Sequence, residues 1–115
     1  MPAQTAGDLA HRDVPTCTLE DDLVRMRERV RRSGLDTCIV VDADRVVLGR
    51  VGRRALASEA DSSIEDAMTP GPSTVRPSIG ADALLERMRA RNLTSFLVTT
   101  PDGRLVGLVL RIDLQ

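Results

Sequence analysis

The stretch from Ser95 to Asp113 reads SFLVTTPDGRLVGLVLRID and decides the fold of this chain. Its two runs rich in Val, Leu and Thr, Phe96–Thr99 and Leu105–Leu110, predict short, half-buried strands. The intervening Pro101-Asp102-Gly103 indicates a turn, because proline presets φ, aspartate bonds back to the backbone and glycine accepts positive φ. The stretch therefore predicts a β-hairpin that ends just before Asp113.

Gly107 lies inside the second predicted strand, where glycine is unfavourable. A glycine there indicates a bulge, or a close approach by another backbone or by a ligand. Asp113 follows the strand, and its carboxylate is suited to accept hydrogen bonds from a diol.

The hairpin pattern occurs twice in the chain. Residues 38–51 also read as a strand, a polar turn and a strand that contains a glycine, Gly49. Gly107 follows Gly49 by 58 positions (107 − 49), and Arg111 follows Arg53 by 58 (111 − 53). Three further pairs match at an offset of 62: Pro15 with Pro77, Leu23 with Leu85, and Met26 with Met88. The chain is therefore an internal repeat with four extra residues, about one helical turn, in its first copy.

Each copy is predicted to contain a helix before its hairpin. In the first copy Thr18 opens the helix, and an apolar stripe follows at helical spacing: Leu19, Leu23, Met26 and Val30. In the second copy the helix runs from Asp82 to Asn92, with its apolar side chains turned inward: Leu84, Leu85 and Met88.

Composition restricts the functional classes. The chain has 115 residues and a net charge of −1, enough for one domain and without general attraction to nucleic acid or anionic membranes. Each repeat alone would be marginal in size, so we expect the repeats to pack on each other. No apolar run approaches the ~20 residues that span a bilayer, and no signal peptide is evident. Cys17 and Cys38 lie in apolar contexts that favour buried, reduced thiols, which indicates a cytoplasmic protein.

Three segments in this order resemble a known family: Asp66-Ala67-Met68-Thr69, Thr74-Val75-Arg76-Pro77, and the run from Asp102 to Asp113. Over residues 13–114 the chain resembles a pair of CBS motifs, together called a Bateman module, of the stand-alone bacterial type. The resemblance implies an α+β fold of two motifs, each strand-helix-strand-strand-helix, packed around a pseudo-twofold axis. It also implies clefts that often bind adenosine-containing ligands and the association of two modules into a disc-like homodimer.

The resemblance and the repeat together predict four segments. Residues 1–12 form a weakly ordered N-terminal segment, and residues 13–60 form the first CBS motif. Residues 61–72 form a connector, and residues 73–115 form the second CBS motif, truncated at its final helix because little chain follows Asp113.

The family's adenosine site implies roles for several positions of this chain. A final aspartate binds the ribose hydroxyls, and Asp113 matches it. A serine or threonine three positions after the strand glycine binds phosphate, but Leu110 stands there. Gly52 and Ala55 occupy the corresponding positions of the first repeat, so that site lacks both polar groups. Arg111 is suited to supply charge for phosphate. The alternative for Asp113 is a helix cap.

The resemblance implies five further contacts in the second repeat. Thr74, Val75 and Pro77 would line the floor of the cleft through backbone groups, and Thr94 and Ser95 fall where the family contacts the base. Ordinary turn and strand-edge chemistry explains Thr94 and Ser95 equally well.

Other functional classes receive less support. The arginines of the first helix do not share one face and are interleaved with acidic residues, so a solvated surface explains them better than nucleic-acid binding. Phe96 is the only aromatic residue, and core packing explains it better than base stacking. His11 is the only histidine and lies in a weakly patterned segment, so neither a metal site nor a Ser-His-Asp constellation is indicated. Nothing in the chain indicates catalysis.

The sequence therefore predicts a non-catalytic regulatory module that binds an adenosine-containing ligand in the cleft of the second motif. The expected ligands are AMP, ADP, ATP or S-adenosylmethionine, with no required cofactor, metal or membrane. The alternative is a dimerisation or interaction module whose nucleotide sites are degenerate, as Leu110, Gly52 and Ala55 suggest. A homodimer is expected in both cases, on the argument that Leu84 and Met88 form apolar faces that one module cannot cover.

Overall fold

The structure of the protein is a computed structural model, which describes residues 4–57 and 63–114. The chain divides into two compact units. The first unit comprises residues 14–72, and the second unit comprises residues 1–13 together with residues 73–115. The described elements, in chain order, are α1 Ala6–Leu9, β1 Thr16–Cys17, α2 Leu23–Ser33, β2 Cys38–Val41, β3 Val47–Val51, α3 Arg53–Ala57, α4 Ile64–Ala67, β4 Thr69–Pro70, β5 Thr74–Val75, α5 Ala81–Ala90, β6 Ser95–Thr99, β7 Leu105–Leu110 and a 3₁₀ helix Arg111–Asp113.

The two sheets follow one plan. In the first unit the strand order is β1-β2-β3-β4, with β1 parallel to β2 and the other pairs antiparallel. In the second unit the order is β5-β6-β7, with β5 parallel to β6 and β6 antiparallel to β7. Each repeat thus runs strand-helix-strand-strand, as predicted, and the first continues into α3. In the second repeat the described residues after β7 form a single 3₁₀ turn. Residues 58–60, the end of the predicted first motif, lie outside the described residues.

The first long helix starts later than the sequence predicted. Asp22, not Thr18, is the N-cap, and its side chain accepts a hydrogen bond from the Val24 amide. Asp21 instead accepts from the Thr18 amide, which closes a turn before the helix. Leu19 therefore lies outside the helix and is 37% exposed, so it does not join the apolar stripe. The remaining members of the stripe are buried: Leu23, Met26 and Val30.

Helix α5 agrees with its prediction more closely. Leu84 and Met88 are buried, and Asn92 adopts a left-handed conformation just beyond the helix, with φ of 53°. Both buried side chains are 0% exposed within the chain itself, in a core cluster with Phe96 and Val98. The expectation that Leu84 and Met88 form faces needing a second module is therefore wrong, because the strands of their own unit and the N-terminal segment cover them.

The N-terminal segment, predicted to be weakly ordered, forms a capped helix in the second unit. Thr5 and Asp8 cap α1 reciprocally, each side chain accepting from the other's amide. The Gly7 amide donates to the Pro77 carbonyl at 2.9 Å, and Ala6 is buried in the core cluster. His11 pairs with Leu108 through two backbone hydrogen bonds of 2.8 and 3.0 Å, which adds a one-residue antiparallel bridge beside β7.

The connector plays the equivalent part in the first unit. Ser63 caps α4, and β4 pairs with β3 through Gly49 and Pro70. Ile64 is buried in the first core cluster. Each unit is therefore completed by the segment that precedes the other repeat in the chain.

Gly107 confirms the expectation of a close backbone approach. A Cβ placed on it would lie 2.5 Å from the His11 carbonyl oxygen and 3.0 Å from the Ala10 Cβ. The register of β6 and β7 also shifts next to this point, between Val98 and Thr99. Only glycine lets the N-terminal segment lie this close to β7.

Candidate functional site

Asp113 closes the 3₁₀ turn after β7, where its side chain is 38% exposed. His11 Nε2 lies 2.7 Å from Asp113 Oδ2. The histidine reaches this position because its backbone pairs with Leu108. A carboxylate has about four lone-pair sites, so one hydrogen bond leaves acceptor capacity for a hydroxyl-bearing ligand.

Three other residues predicted to contact the ligand lie near Asp113, at the amino end of β6. The Arg111 amide donates to the Thr94 carbonyl at 2.8 Å, which ties the 3₁₀ turn to the residue before β6. Ser95 pairs across the ladder with Leu110 and is buried. The structure therefore brings together Asp113, Arg111, Thr94 and Ser95. Leu110 holds the position expected for a phosphate-binding hydroxyl, and its side chain offers no donor.

The other three predicted residues lie elsewhere in the second unit. Thr74 and Val75 pair with Leu97 and Val98, toward the carboxyl end of β6, and not with its amino end. The Pro77 carbonyl already accepts the Gly7 amide, and Gly7 lies against the proline ring. The predicted contacts thus fall at two ends of the same small sheet.

A cavity of about 500 Å³ opens at the carboxyl end of β5 and β6. Thr74 and Val75 contribute to its wall, together with Arg76 from the segment after β5, Arg87 from α5, and Thr99 from the end of β6. The remaining lining residues are Ser78, Ile79, Thr100, Pro101 and Gly103. Among the residues that the structure describes, the lining contains two guanidinium groups and several hydroxyls but no carboxylate.

The first unit has a smaller cavity, of about 260 Å³, between the end of α2 and α3. One of its arginines is compensated, because the Arg53 guanidinium donates to Asp36 Oδ2 at 2.7 Å. Gly52 and Ala55, which match Leu110 and Asp113, offer no side-chain hydrogen bond. The first unit thus has no counterpart of the Asp113 carboxylate at that position.

Two polar groups in the first unit are used internally. Arg50 Nε donates to the hydroxyl of Thr37 at 2.8 Å, and that hydroxyl donates to the Val51 carbonyl. Burial lowers the pKa of Arg50. Arg31 and Arg32 on α2 each lie 3.6 Å from Glu28, which fits the solvated helix surface predicted for this arginine-rich stretch.

Cys17 and Cys38 are both buried and both reduced, as the sequence predicted. The two thiols lie in the same buried core cluster. Interaction with the Cys38 thiol lowers the pKa of Cys17, whereas interaction with the Cys17 thiol and burial raise the pKa of Cys38.

Comparison with known families decides the identity of the fold. A family profile described as the CBS domain matches residues 6–62 and again residues 64–115. The chain belongs to the CBS domain family. The two matches correspond to the two repeats, so the chain is a pair of CBS motifs with a mixed α+β architecture.

Solved structures of CBS pairs share this fold. The CBS domain pair of protein MJ0100, in complex with 5′-methylthioadenosine and S-adenosyl-L-methionine, superposes with a TM-score of 0.86 at 18% identity, covering 98% of this chain and 94% of that one. CBSX2 in complex with AMP gives a TM-score of 0.85 at 18% identity, covering 96% and 93%. The cytosolic domain of the Mg²⁺ channel MgtE in complex with ATP gives 0.86 at 21% identity, covering 96% of this chain but only 47% of that chain. These likenesses establish the fold.

Sequence reasoning missed three residues of the second CBS motif's surroundings. His11 was set aside because it stands alone, and no local pattern places it against Asp113. The signal available was the offset of 58, which aligns Thr5-Ala6-Gly7-Asp8 with Ser63-Ile64-Glu65-Asp66. No sequence pattern indicates that Arg76 and Arg87 lie together, because only the packing of α5 on the strands brings them to one cavity.

Among residues 4–57 and 63–114, no helix has the length and apolarity to cross a membrane.

Proposed function

We propose that this CBS pair is a non-catalytic regulatory module that binds an adenosine-containing ligand through the second motif. The observation that carries the proposal is the Asp113 carboxylate, which is exposed at the end of β7 and has acceptor capacity beyond its bond to His11. A ribose offers two adjacent hydroxyl donors, and hydrogen bonds to an ionised acceptor are the stronger kind.

The arrangement around Asp113 supports this choice. Arg111 follows directly on β7 and is half-buried, and Thr94 lies beside it through the 2.8 Å backbone bond. A guanidinium there complements a phosphate group. The solved complexes of similar CBS pairs with 5′-methylthioadenosine, S-adenosylmethionine, AMP and ATP support this ligand class, and we propose AMP, ADP, ATP and S-adenosylmethionine as candidates for this chain.

The ligand would act by shifting an equilibrium between conformations. Such a shift requires a higher affinity for one conformation than for the other. Because the 3₁₀ turn and the N-terminal segment meet at Asp113, ligand binding there would change the contact between His11 and Asp113 in the second unit. The setting that we propose is a cytoplasmic homodimer.

A ligand titration tests the proposal. The thermal midpoint is measured against adenosine, AMP, ADP, ATP and S-adenosylmethionine, because a ligand at 100 times its dissociation constant adds about 2.7 kcal/mol of stability. Asp113→Asn, which keeps the size and removes the charge, should weaken binding at least about tenfold. Asp82→Asn on the exposed face of α5 is the matched control and should leave affinity unchanged.

The missing hydroxyl gives a second, independent test. Leu110→Thr supplies a donor at the family's phosphate position and should strengthen the binding of AMP over adenosine by about tenfold, the effect of one charged hydrogen bond. Absence of any ligand response at millimolar concentration, in both the wild type and Leu110→Thr, would reject the sensor function for these ligands.

A second candidate function is a dimerisation or interaction module without a nucleotide site. The observations in its favour are Leu110, Gly52 and Ala55, together with two strongly exposed apolar side chains, Val24 at 65% and Ile112 at 75%. Its test is the oligomeric state by sedimentation at micromolar concentration. A dimer that dissociates in Ile112→Ser or Val24→Ser, with no ligand response, would establish this function.

A further inference from the structure

We propose that the second CBS motif carries a separate phosphate-binding site in the cavity of about 500 Å³ between β5, the end of β6 and α5. The ligand would be a phosphorylated small molecule. The proposal is independent of the adenosine site at Asp113, because the cavity lies at the other end of β6. Ser95 and Thr99 mark the two ends of that strand, four residue steps apart.

The charge of the cavity is the first argument. Arg76 and Arg87 both line it, and no described residue of the lining carries a carboxylate. Among residues 4–57 and 63–114, neither guanidinium forms an ion pair, whereas Arg53 in the smaller cavity is paired with Asp36. The acidic residue of the adjoining turn, Asp102, is already engaged with Arg104 and with the Thr100 hydroxyl. Two positive charges therefore face this cavity without internal compensation.

The second argument is the distribution of donors. Thr74 and Ser78 offer hydroxyls on the side of β5, and Thr99 offers one from a buried position at the end of β6. Guanidinium groups present several N–H donors in a planar fork that matches phosphate oxygens. A terminal phosphate has three acceptor oxygens, so it can use donors from several walls at once.

The third argument is size. The cavity volume of about 500 Å³ falls within the range that is typical of small-molecule sites. It exceeds what one phosphate ion fills, so the cavity fits a phosphorylated organic molecule whose phosphate lies on the two arginines. Val75 and Ile79 supply apolar wall for the remainder of such a ligand.

Inorganic pyrophosphate is the probe, titrated calorimetrically into the full chain at constant ionic strength. Arg76→Gln and Arg87→Gln should each weaken binding at least about tenfold, the effect of losing a charged hydrogen-bond donor. Arg89→Gln is the matched control, because it removes the same charge from the same helix but lies outside the cavity lining. It should change affinity less than about twofold, within the additive range of distant sites. Thermal midpoints of all variants should stay near that of the wild type, since the three side chains are exposed and such substitutions have small effects on stability.

The outcomes separate this site from the proposed function. Two separate sites are supported if Asp113→Asn leaves the affinity for pyrophosphate unchanged and Arg87→Gln leaves the affinity for adenosine unchanged. Pyrophosphate binding that is lost in Asp113→Asn but kept in Arg76→Gln and Arg87→Gln would overturn the inference and place the phosphate at Asp113. Equal weakening of pyrophosphate binding by Arg87→Gln and Arg89→Gln would indicate a general effect of charge and would also overturn the inference. So would the absence of pyrophosphate binding at millimolar concentration.

Discussion

His11 Nε2 lies 2.7 Å from Asp113 Oδ2, although 102 positions separate the two residues in the chain. The contact joins the N-terminal segment to the turn that follows the last strand of the second CBS motif. Both side chains are well exposed, at 42% and 38%. The pair therefore marks a meeting point of two segments and not a buried ionic contact.

The exposure of this pair predicts a small effect on stability. His11→Ala should lower the free energy of unfolding by no more than about 1 kcal/mol, because exposed pairs gain little in water. The backbone bonds between His11 and Leu108 remain in the variant. A double-mutant cycle with Asp113→Ala, measured by urea denaturation, gives the coupling energy, and a value several times larger than this would contradict the expectation.

Gly107→Ala should destabilise the second unit by about 1–3 kcal/mol, the usual cost of overpacking. The added methyl group would lie 2.5 Å from the His11 carbonyl oxygen, so the N-terminal segment must move off β7. Gly52→Ala is the control, because nothing lies within 4 Å of a Cβ at that position. Hydrogen exchange of the His11 and Leu108 amides would show the displacement directly. Similar stability of the two variants would indicate that the close approach is not required.

The two thiols predict a loss of stability in alkali. The chain contains no tyrosine and no lysine, so Cys17 and Cys38 are the side chains whose ordinary pKa lies near 8.5. The pKa of Cys38 is raised in the folded state by interaction with the Cys17 thiol and by burial, so the folded state keeps a proton that the unfolded state releases. The pKa of Cys17 is lowered in the folded state. At a pH well above the ordinary thiol pKa, Cys17 is therefore ionised in both the folded and the unfolded state. Stability should therefore fall as pH rises above about 9, by up to about 1.4 kcal/mol per pH unit for the one proton on Cys38.

The check on the thiol effect is a pair of urea denaturation series across this pH range. The double variant Cys17→Ala, Cys38→Ala cannot titrate there, and its free energy of unfolding should be nearly constant. Parallel decline in the wild type and the double variant would assign the pH dependence to other groups.

Two adjacent leucines on α5, Leu84 and Leu85, differ in burial and should differ in their effect on stability. Leu84 is fully buried. Leu84→Ala should therefore cost about 2–5 kcal/mol in free energy of unfolding, the usual effect of truncating a core leucine. Leu85, the next residue, is only half-buried, and Leu85→Ala should cost clearly less. Equal losses, measured by chemical denaturation, would mean that the helix packs with a different face inward.

Local sequence patterns predicted the parts of the fold that depend on short-range physics. The hairpin over residues 95–110 follows from its strand propensity and its turn residues. Gly107 indicated a neighbouring backbone because glycine is otherwise unfavourable within a strand. The start of α2 was misplaced because Thr18 and Asp22 both have capping side chains, and Asp21 binds the amide of Thr18 to close a turn.

The candidate sites were predicted only in part, because they depend on contacts between distant segments. Asp113 was identified through its place after the strand glycine. Its partner His11 was not identified from the sequence. The bridge between His11 and Leu108 places the histidine beside Asp113, and backbone atoms form this bridge almost independently of side-chain type. Thr74 and Val75 were grouped with Asp113, but the parallel register with β6 places them toward the larger cavity.

Each sheet of this CBS pair takes its last partner from a stretch of chain that is contiguous with the opposite repeat. Cleavage of the peptide bond between Pro72 and Ser73 would therefore separate the second motif from α1, the helix whose Ala6 packs into the same core cluster as Val75. The first unit, residues 14–72, would remain whole in the amino-terminal fragment, whereas a fragment beginning at Ser73 would need residues 5–11 supplied in trans to recover its native edge.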